Sequence, residues 1–234
     1  MNETLFFTAI IVNFLGVTLA YKLFSKTGIY AWVALATVIA NIEVVKCVDI
    51  FGLPLTLGNV TYGSIFLATD ILNEKYGREK AQKGVFLGFF SLLVLTLFTQ
   101  IDLLYIPSSN DFAQGAMQTI FALTPRICLG SMLAYLVSNT MDVFLYKKIR
   151  DILPSDKFLW VRNNTATMTS QLVDTILFTF IAFFGVFPLS IVLKLCFTTY
   201  VLKLIIAVCD TPFLYLAKRP VEFAEALSSP HSLE

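Results

Sequence analysis

Charge and histidine are what this 234-residue sequence is short of. Asp, Glu, Lys and Arg make up only 14% of it, against about 25% in a soluble domain. The single histidine, His231, lies in the tail "SSPHSLE", which removes a serine–histidine–acid triad and any His-rich metal site. No GxxxxGK[ST] run is present, so the chain has no phosphate-binding loop and does not hydrolyse ATP itself. CxxC and HExxH are missing as well, as are the paired acids of a membrane-embedded protease and the inverted repeat of many secondary transporters. An enzyme is therefore not expected, nor a cofactor. The four cysteines (Cys47, Cys128, Cys196, Cys209) all fall in hydrophobic stretches and read as small packing residues, with no disulfide framework.

Long apolar runs are what the sequence has instead. It is 57% hydrophobic, with a mean hydropathy of +0.76. Thr4 to Tyr21 and Ile50 to Thr69 carry no charge at all, and about 20 apolar residues suffice to cross the hydrocarbon core as a helix. The runs do not alternate polar with apolar residues, which excludes a membrane barrel. The expected fold class is all-α: a polytopic membrane helix bundle of seven segments, at 4–24, 29–50, 57–73, 84–104, 117–147, 164–185 and 190–216. The first segment has neither a basic flank nor a small-residue cleavage site, so a retained helix is expected, not a signal peptide.

Thirteen of the 17 basic residues fall at one set of segment ends. These are Lys22 and Lys26, then Lys75, Arg78, Lys80 and Lys83, then Lys147, Lys148, Arg150, Lys157 and Arg162, and finally Lys218 and Arg219. The opposite ends, around 49–56, 102–115 and 185–189, receive none. The positive-inside rule then places the N-terminus outside and the C-terminus in the cytoplasm.

Lys46, Arg126, Lys194 and Lys203 remain, all inside segments. Lys194 and Lys46 lie near outer ends, from which a lysine can snorkel to the interface. Arg126 is two to three turns into segment five, and Lys203 is near the centre of segment seven. By helical rise, Asn41, Asp174 and Lys203 are expected at one depth on three helices, with Gln171 one turn from Asp174 and Thr175 beside it. Glu43, Lys46 and Arg126 form a second polar group nearer the outer surface, where Glu43 and Lys46 are expected to pair. Asp70, Asn73 and Glu74 crowd the inner end of segment three, close to Asn164 at the start of segment six. These residues line a wet binding cavity or serve as interhelical hydrogen bonds, worth about 0.6 kcal/mol each. Asn41 and Glu43 point about 200° apart on an ideal helix and do not share a ligand. Gly84/Gly88 and Ala36/Ala40 are small-xxx-small pairs that permit close helix packing.

Four stretches resemble the bacterial queuosine precursor transporters, also classed as vitamin uptake transporters. They are "ANIEVVKCVDIFGLPLTLGNVTYGSIFLATDILNEKYG" (40–77), "RICLGSMLAYLVSNTMDVFLYKKI" (126–149), "WVRNNTATMTSQLVDTILFTFIAFFG" (160–185) and "YVLKLIIAVCDTPFLYLAKR" (200–219). The sequence departs from the family in "VTYGSIF", where members often carry Pro near Gly63. The resemblance covers residues 28–219 and implies a six-helix core, similar in fold to the substrate-binding subunits of energy-coupling factor transporters. Residues 1–27 would then be an additional transmembrane helix and 220–234 a polar tail. The implied substrates are 7-deazaguanines: 7-cyano-7-deazaguanine, 7-aminomethyl-7-deazaguanine or queuine. Asp174 suits the two donors of such a base, and Lys203, Asn41 or Gln171 its carbonyl. The expected partners are this deazapurine and the lipid bilayer, with no nucleic acid. A homodimer and an energising module both stay open, as does the alternative of a binding subunit that depends on an energy-coupling factor module.

Overall fold

The protein was analysed as a computed structural model, which describes residues 1–153, 155 and 159–209, and among these the side chains other than those at 142, 143, 146, 150, 159–164 and 206–209. The elements in chain order are α1 (Asn2–Glu43), β1 (Cys47–Ile50), β2 (Leu53–Thr56), α2 (Gly58–Tyr76), α3 (Arg78–Leu104), α4 (Gln114–Phe121), α5 (Thr124–Ile152), α6 (Leu159–Phe183) and α7 (Leu189–Cys209). The described residues form two compact units, one of residues 1–122 with 201–209 and the other within Leu123–Tyr200. The bundle is all-α and polytopic apart from one small hairpin, and four of the described helices are long and apolar enough to cross a membrane by length and composition.

In the first unit, α1 is two antiparallel limbs. Ser25 takes a non-helical backbone (φ 51°, ψ −137°), and the chain reverses there, so that Gly28 lies on the backbone carbonyl of Ala20 and Gly16 on the ring of Trp32. Neither glycine position has room for a Cβ. These limbs, 2–24 and 26–43, correspond to the first two expected segments. Phe14, Val17, Ile29, Val33, Leu67, Ile71 and Leu72 are fully buried between the limbs and α2. The outward faces are apolar too, with Ile11, Leu15 and Leu19 on α1 and Phe86, Phe90 and Phe98 on α3 all exposed. Such a surface is stable against lipid and not against water. Gly88 of α3 packs on Thr37 and Val33, and Gly84 on Leu72 and Tyr30. Gly63 is buried inside an uninterrupted α2, so the missing proline leaves that helix straight through.

Segment two differs from its expected course. The helix stops at Glu43, not at residue 50, and Cys47–Ile50 pairs antiparallel with Leu53–Thr56. The turn is made by Phe51 (φ 52°) and Gly52 (φ 75°). Two consecutive positive φ values match a type I′ turn, whose twist suits a two-residue hairpin. Ile50 and Leu55 point inward and join the core. The hairpin rests on the start of α1: Asn2 Nδ2 donates to the Asp49 carbonyl at 3.0 Å, the Phe51 N–H donates to Glu3 at 3.4 Å, and the Phe7 and Phe51 rings meet edge to face. At the opposite end, Lys26 Nζ sits 5.6 Å from the centre of the Tyr76 ring, a cation–π contact.

Segment five also differs. It is divided into the eight-residue α4 and the long α5 by a turn at Ala122 and Leu123, with Pro125 in the first turn of α5. Proline is suited to that place because no helical N–H is required of it. The second unit is built on α5 and α6, which run antiparallel: Arg126 meets Ile181 and Phe184, Gly130 meets Ile181, and Ser138 meets Asp174. Residues 210–216 of the seventh segment and the tail 220–234 lie outside the described residues.

Gly28→Val places two methyl groups against the Ala20 carbonyl. Overpacking of this kind costs about 1–3 kcal/mol, so a lower melting temperature in detergent is expected, measured beside a Val substitution at the open position Gly115 as control.

Candidate functional site

Polar side chains inside the bundle have three ways to satisfy themselves, and the candidate residues divide among them. In the first unit, Asn41 is buried and its Nδ2 donates back to the Thr37 carbonyl at 2.7 Å. Thr37 in turn donates to the Val33 carbonyl. The limb 26–43 has its centre near residues 34–35, so Asn41 lies about 10 Å from that centre toward the hairpin end. The expected midplane position of Asn41 is therefore corrected. The cause is the hairpin, which takes up residues that would otherwise have lengthened the helix.

Glu43 faces α2, where Thr61 Oγ1 donates to its carboxylate at 2.6 Å. Ser64 donates to the Thr61 carbonyl and accepts the Trp32 indole N–H at 3.0 Å. The expected Glu43–Lys46 pair is not formed. Lys46 lies beyond the helix end in an exposed turn, its backbone N–H bonded to the Glu43 carbonyl at 3.0 Å. Asp70 is exposed on α2 and has no partner among the described residues. It sits about one turn from the centre of α2, and a carboxylate at that depth is expected to face water or polar surface and not lipid. Lys203 is half-buried on α7, in the part of the chain assigned to the first unit.

In the second unit, Arg126 has a structural task. Its Nε donates to the Ile181 carbonyl and its Nη2 to the Phe184 carbonyl. These carbonyls close the C-terminal turn of α6, where a helix leaves acceptors unpaired and carries partial negative charge. The guanidinium caps that end. Because α5 starts at Thr124, Arg126 lies in its first turn, and the deep placement expected from a continuous segment five does not hold.

Asp174 and Gln171 occupy one face of α6, one turn apart. Ser138 of α5 donates to Asp174 Oδ1 at 3.2 Å. Thr175 is fully buried and donates to the Gln171 backbone carbonyl at 2.8 Å. Among the described residues, Oε1 of Gln171 is the buried side-chain polar atom left with no hydrogen-bond partner. An unsatisfied buried acceptor costs about 1–3 kcal/mol. The side chain of Asn164 lies outside the described residues. Ser138, Thr61, Ser64 and Trp32 were not singled out from the sequence, because a lone hydroxyl in an apolar run signals little. The polar interruption "SNT" at 138–140 was the available sign of Ser138.

The acceptor-rich face of α6 can receive a ligand that presents N–H donors along one edge. Arg126→Met removes two charge-assisted bonds to a helix end, so a loss of about 2–3 kcal/mol is expected, read as a lowered melting temperature. Arg126→Lys restores only part of it, since an ammonium does not reproduce the two-pronged geometry.

The family model described as "Putative vitamin uptake transporter" matches residues 56–217. A "Probable queuosine precursor transporter" of Bacillus subtilis (strain 168) is 47% identical over 220 residues, 94% of this chain and 96% of the relative. A "Probable queuosine precursor transporter" of Haemophilus influenzae (strain ATCC 51907 / DSM 11121 / KW20 / Rd) is 31% identical over 157 residues, 65% of this chain and 63% of the relative. The "Queuosine precursor transporter" of Escherichia coli (strain K12) is 27% identical over 169 residues, 69% of this chain and 73% of the relative. No solved structure matches the chain. The family match and the apolar helices make this a multi-pass transporter of the bacterial cytoplasmic (inner) membrane. The chain belongs to the vitamin uptake transporter family, the family that holds the queuosine precursor transporters.

Proposed function

We propose that this transporter imports a 7-deazaguanine precursor of queuosine, and that Asp174 grips the base by its donor edge. The single observation that carries this is Asp174 itself, an acid in the interior of an apolar helix, held by Ser138 from the neighbouring helix. Intramembrane acids are costly to keep, and as a rule they serve a transport path or a ligand. A carboxylate offers about four acceptor positions, enough to take a pair of parallel N–H groups beside the serine hydroxyl. A guanine-like edge presents such a pair in N1–H and the 2-amino group. The names of the relatives point to the same class of cargo. Asn164, on the same helix as Asp174, belongs to this proposal as a further substrate contact. Within the first unit, Glu43 and Lys46 are proposed to stand at its outer face and Asp70 at a wet surface. The N-terminus is placed outside and the C-terminus in the cytoplasm.

A second reading, a binding subunit docked on an energising module, would use the small residues Ala36 and Ala40 as its docking stripe. Both are buried, at 3% and 4% exposure, and the Ala40 carbonyl is covered by Gly58 of α2. That stripe is already occupied by packing within the chain. Its occupation favours a transporter that works alone, and uptake by the purified protein in liposomes without a nucleotide-binding partner is the outcome that would establish it.

The direct test is uptake in cells unable to make the precursor, scored as queuosine in tRNA. Asp174→Ala is expected to reduce uptake at least about tenfold at equal membrane expression, since loss of a charge-assisted contact pair weakens binding by at least that factor. Unchanged uptake would remove Asp174 from the site.

A further inference from the structure

We propose that Gln171 reads the exocyclic 2-amino group of the transported base, accepting through Oε1 the amine hydrogen that Asp174 leaves over. This deepens the deazaguanine reading of the same site and rests on it. Two observations within the second unit carry it, and the donor pattern of the base matches them.

Gln171 Oε1 is buried and has no hydrogen-bond partner among the described residues. The neighbouring hydroxyls do not supply one. Thr175 Oγ1 donates to the Gln171 backbone carbonyl at 2.8 Å, and Ser170 Oγ to the Thr167 carbonyl at 2.9 Å. A carboxamide inside a tightly packed bundle that meets no partner in the empty protein is poised for a partner that arrives.

Gln171 also stands three residues before Asp174 on α6. That spacing brings two side chains to one helix face, separated by about 4.5 Å along the axis. Ser138 holds the Asp174 carboxylate from α5 at 3.2 Å. The face thus offers two acceptors in a row, and Gln171 Oε1 is the second.

The donor count of a 2-amino-6-oxo base matches. Its edge has three N–H groups: N1–H and the two hydrogens of the amine. A carboxylate takes N1–H and the nearer amine hydrogen as a parallel pair. The remaining amine hydrogen points away from that pair, further along the edge, and needs its own acceptor. A base with the same 6-oxo group and no amine leaves Gln171 unmatched. A 6-amino base of the adenine type turns a ring-nitrogen acceptor toward Asp174 and is repelled. Selectivity for the amine is therefore shared: Asp174 takes one of its hydrogens together with N1–H, and Gln171 takes the other.

The experiment compares 7-cyano-7-deazaguanine with its 2-deamino counterpart, 7-cyano-7-deazahypoxanthine, by equilibrium binding to the purified full chain in detergent, for the unmodified protein and Gln171→Leu. The unmodified protein is expected to favour the amine about thirtyfold or more, and Gln171→Leu to reduce that preference by about threefold or more, leaving the share that the Asp174 contact supplies, with its affinity for the deamino base nearly unchanged. The apo melting temperature of Gln171→Leu is expected to equal or exceed that of the unmodified protein, since an orphaned acceptor is removed. Gln171→Met, of similar length, serves if the leucine variant does not fold. A full amine preference in the folded variant overturns the proposal, and so does an equal loss for both bases. If the unmodified protein binds the two bases equally, the role of Gln171 fails while the deazaguanine reading stands. If it binds neither, the deazaguanine reading itself fails and the role of Gln171 with it.

Discussion

Hydrocarbon offers no hydrogen-bond partner, and the rest of this structure follows from that constraint. Backbone groups within a bilayer have to pair inside their own segment or with a neighbour, which makes helices the default. Side-chain hydroxyls obey the same demand. Thr18, Thr37, Thr96, Thr140 and Thr169 each donate to a carbonyl four residues back. Arg126 meets it in the other direction, giving donors to carbonyls that a helix end had left without them. In such an interior an unpaired acceptor is conspicuous, and Gln171 is where one remains.

The α5–α6 pair is held together at several points along one antiparallel contact. At one end Arg126 ties the start of α5 to the close of α6. Further along, Gly130 lets Ile181 approach. Beyond that, Ser138 reaches Asp174. The charge near the helix end is consumed by backbone carbonyls, whereas the carboxylate in the middle of α6 accepts from the Ser138 hydroxyl across the pair. A guanidinium with several donors suits capping, and a carboxylate with several acceptor positions suits more than one donor. The same residue class, a charge in an apolar helix, thus serves two ends according to what stands opposite it.

The first unit uses tight backbone approach where the second uses charge. Glycines at 16 and 28 let the limbs of α1 close on each other, and Gly84 and Gly88 let α3 come down on them. This explains why the first helix shares a core with α2, through Phe14 and Val17 against Leu67 and Ile71. Ala36 and Ala40, a small-xxx-small pair in the sequence, are likewise interior residues. A small-residue pair states that something comes close, without stating what.

Length, hydropathy and the placement of lysine were enough to determine an all-α membrane bundle and the approximate course of its helices, because the cost of a charge in lipid acts on each residue independently of its neighbours in space. Local pattern alone did not separate the hairpin at 47–56 from a helix end, since Cys47, Val48, Ile50 and Leu55 are as apolar as a span. Its Phe51–Gly52 turn and the inward alternation of Ile50 and Leu55 become decisive only once there is a core for them to face. The polar residues show the same division. Sequence placed Asp174 and Gln171 on one helix face through the 3.6-residue repeat, but the loss of Lys46 as a partner for Glu43, the pairing of Glu43 with Thr61 and the use of Arg126 as a cap were decided by the tertiary structure. The physical reason is that a hydrogen bond is made or lost over a few tenths of an ångström, and no one-dimensional spacing fixes the distance between two helices to that accuracy.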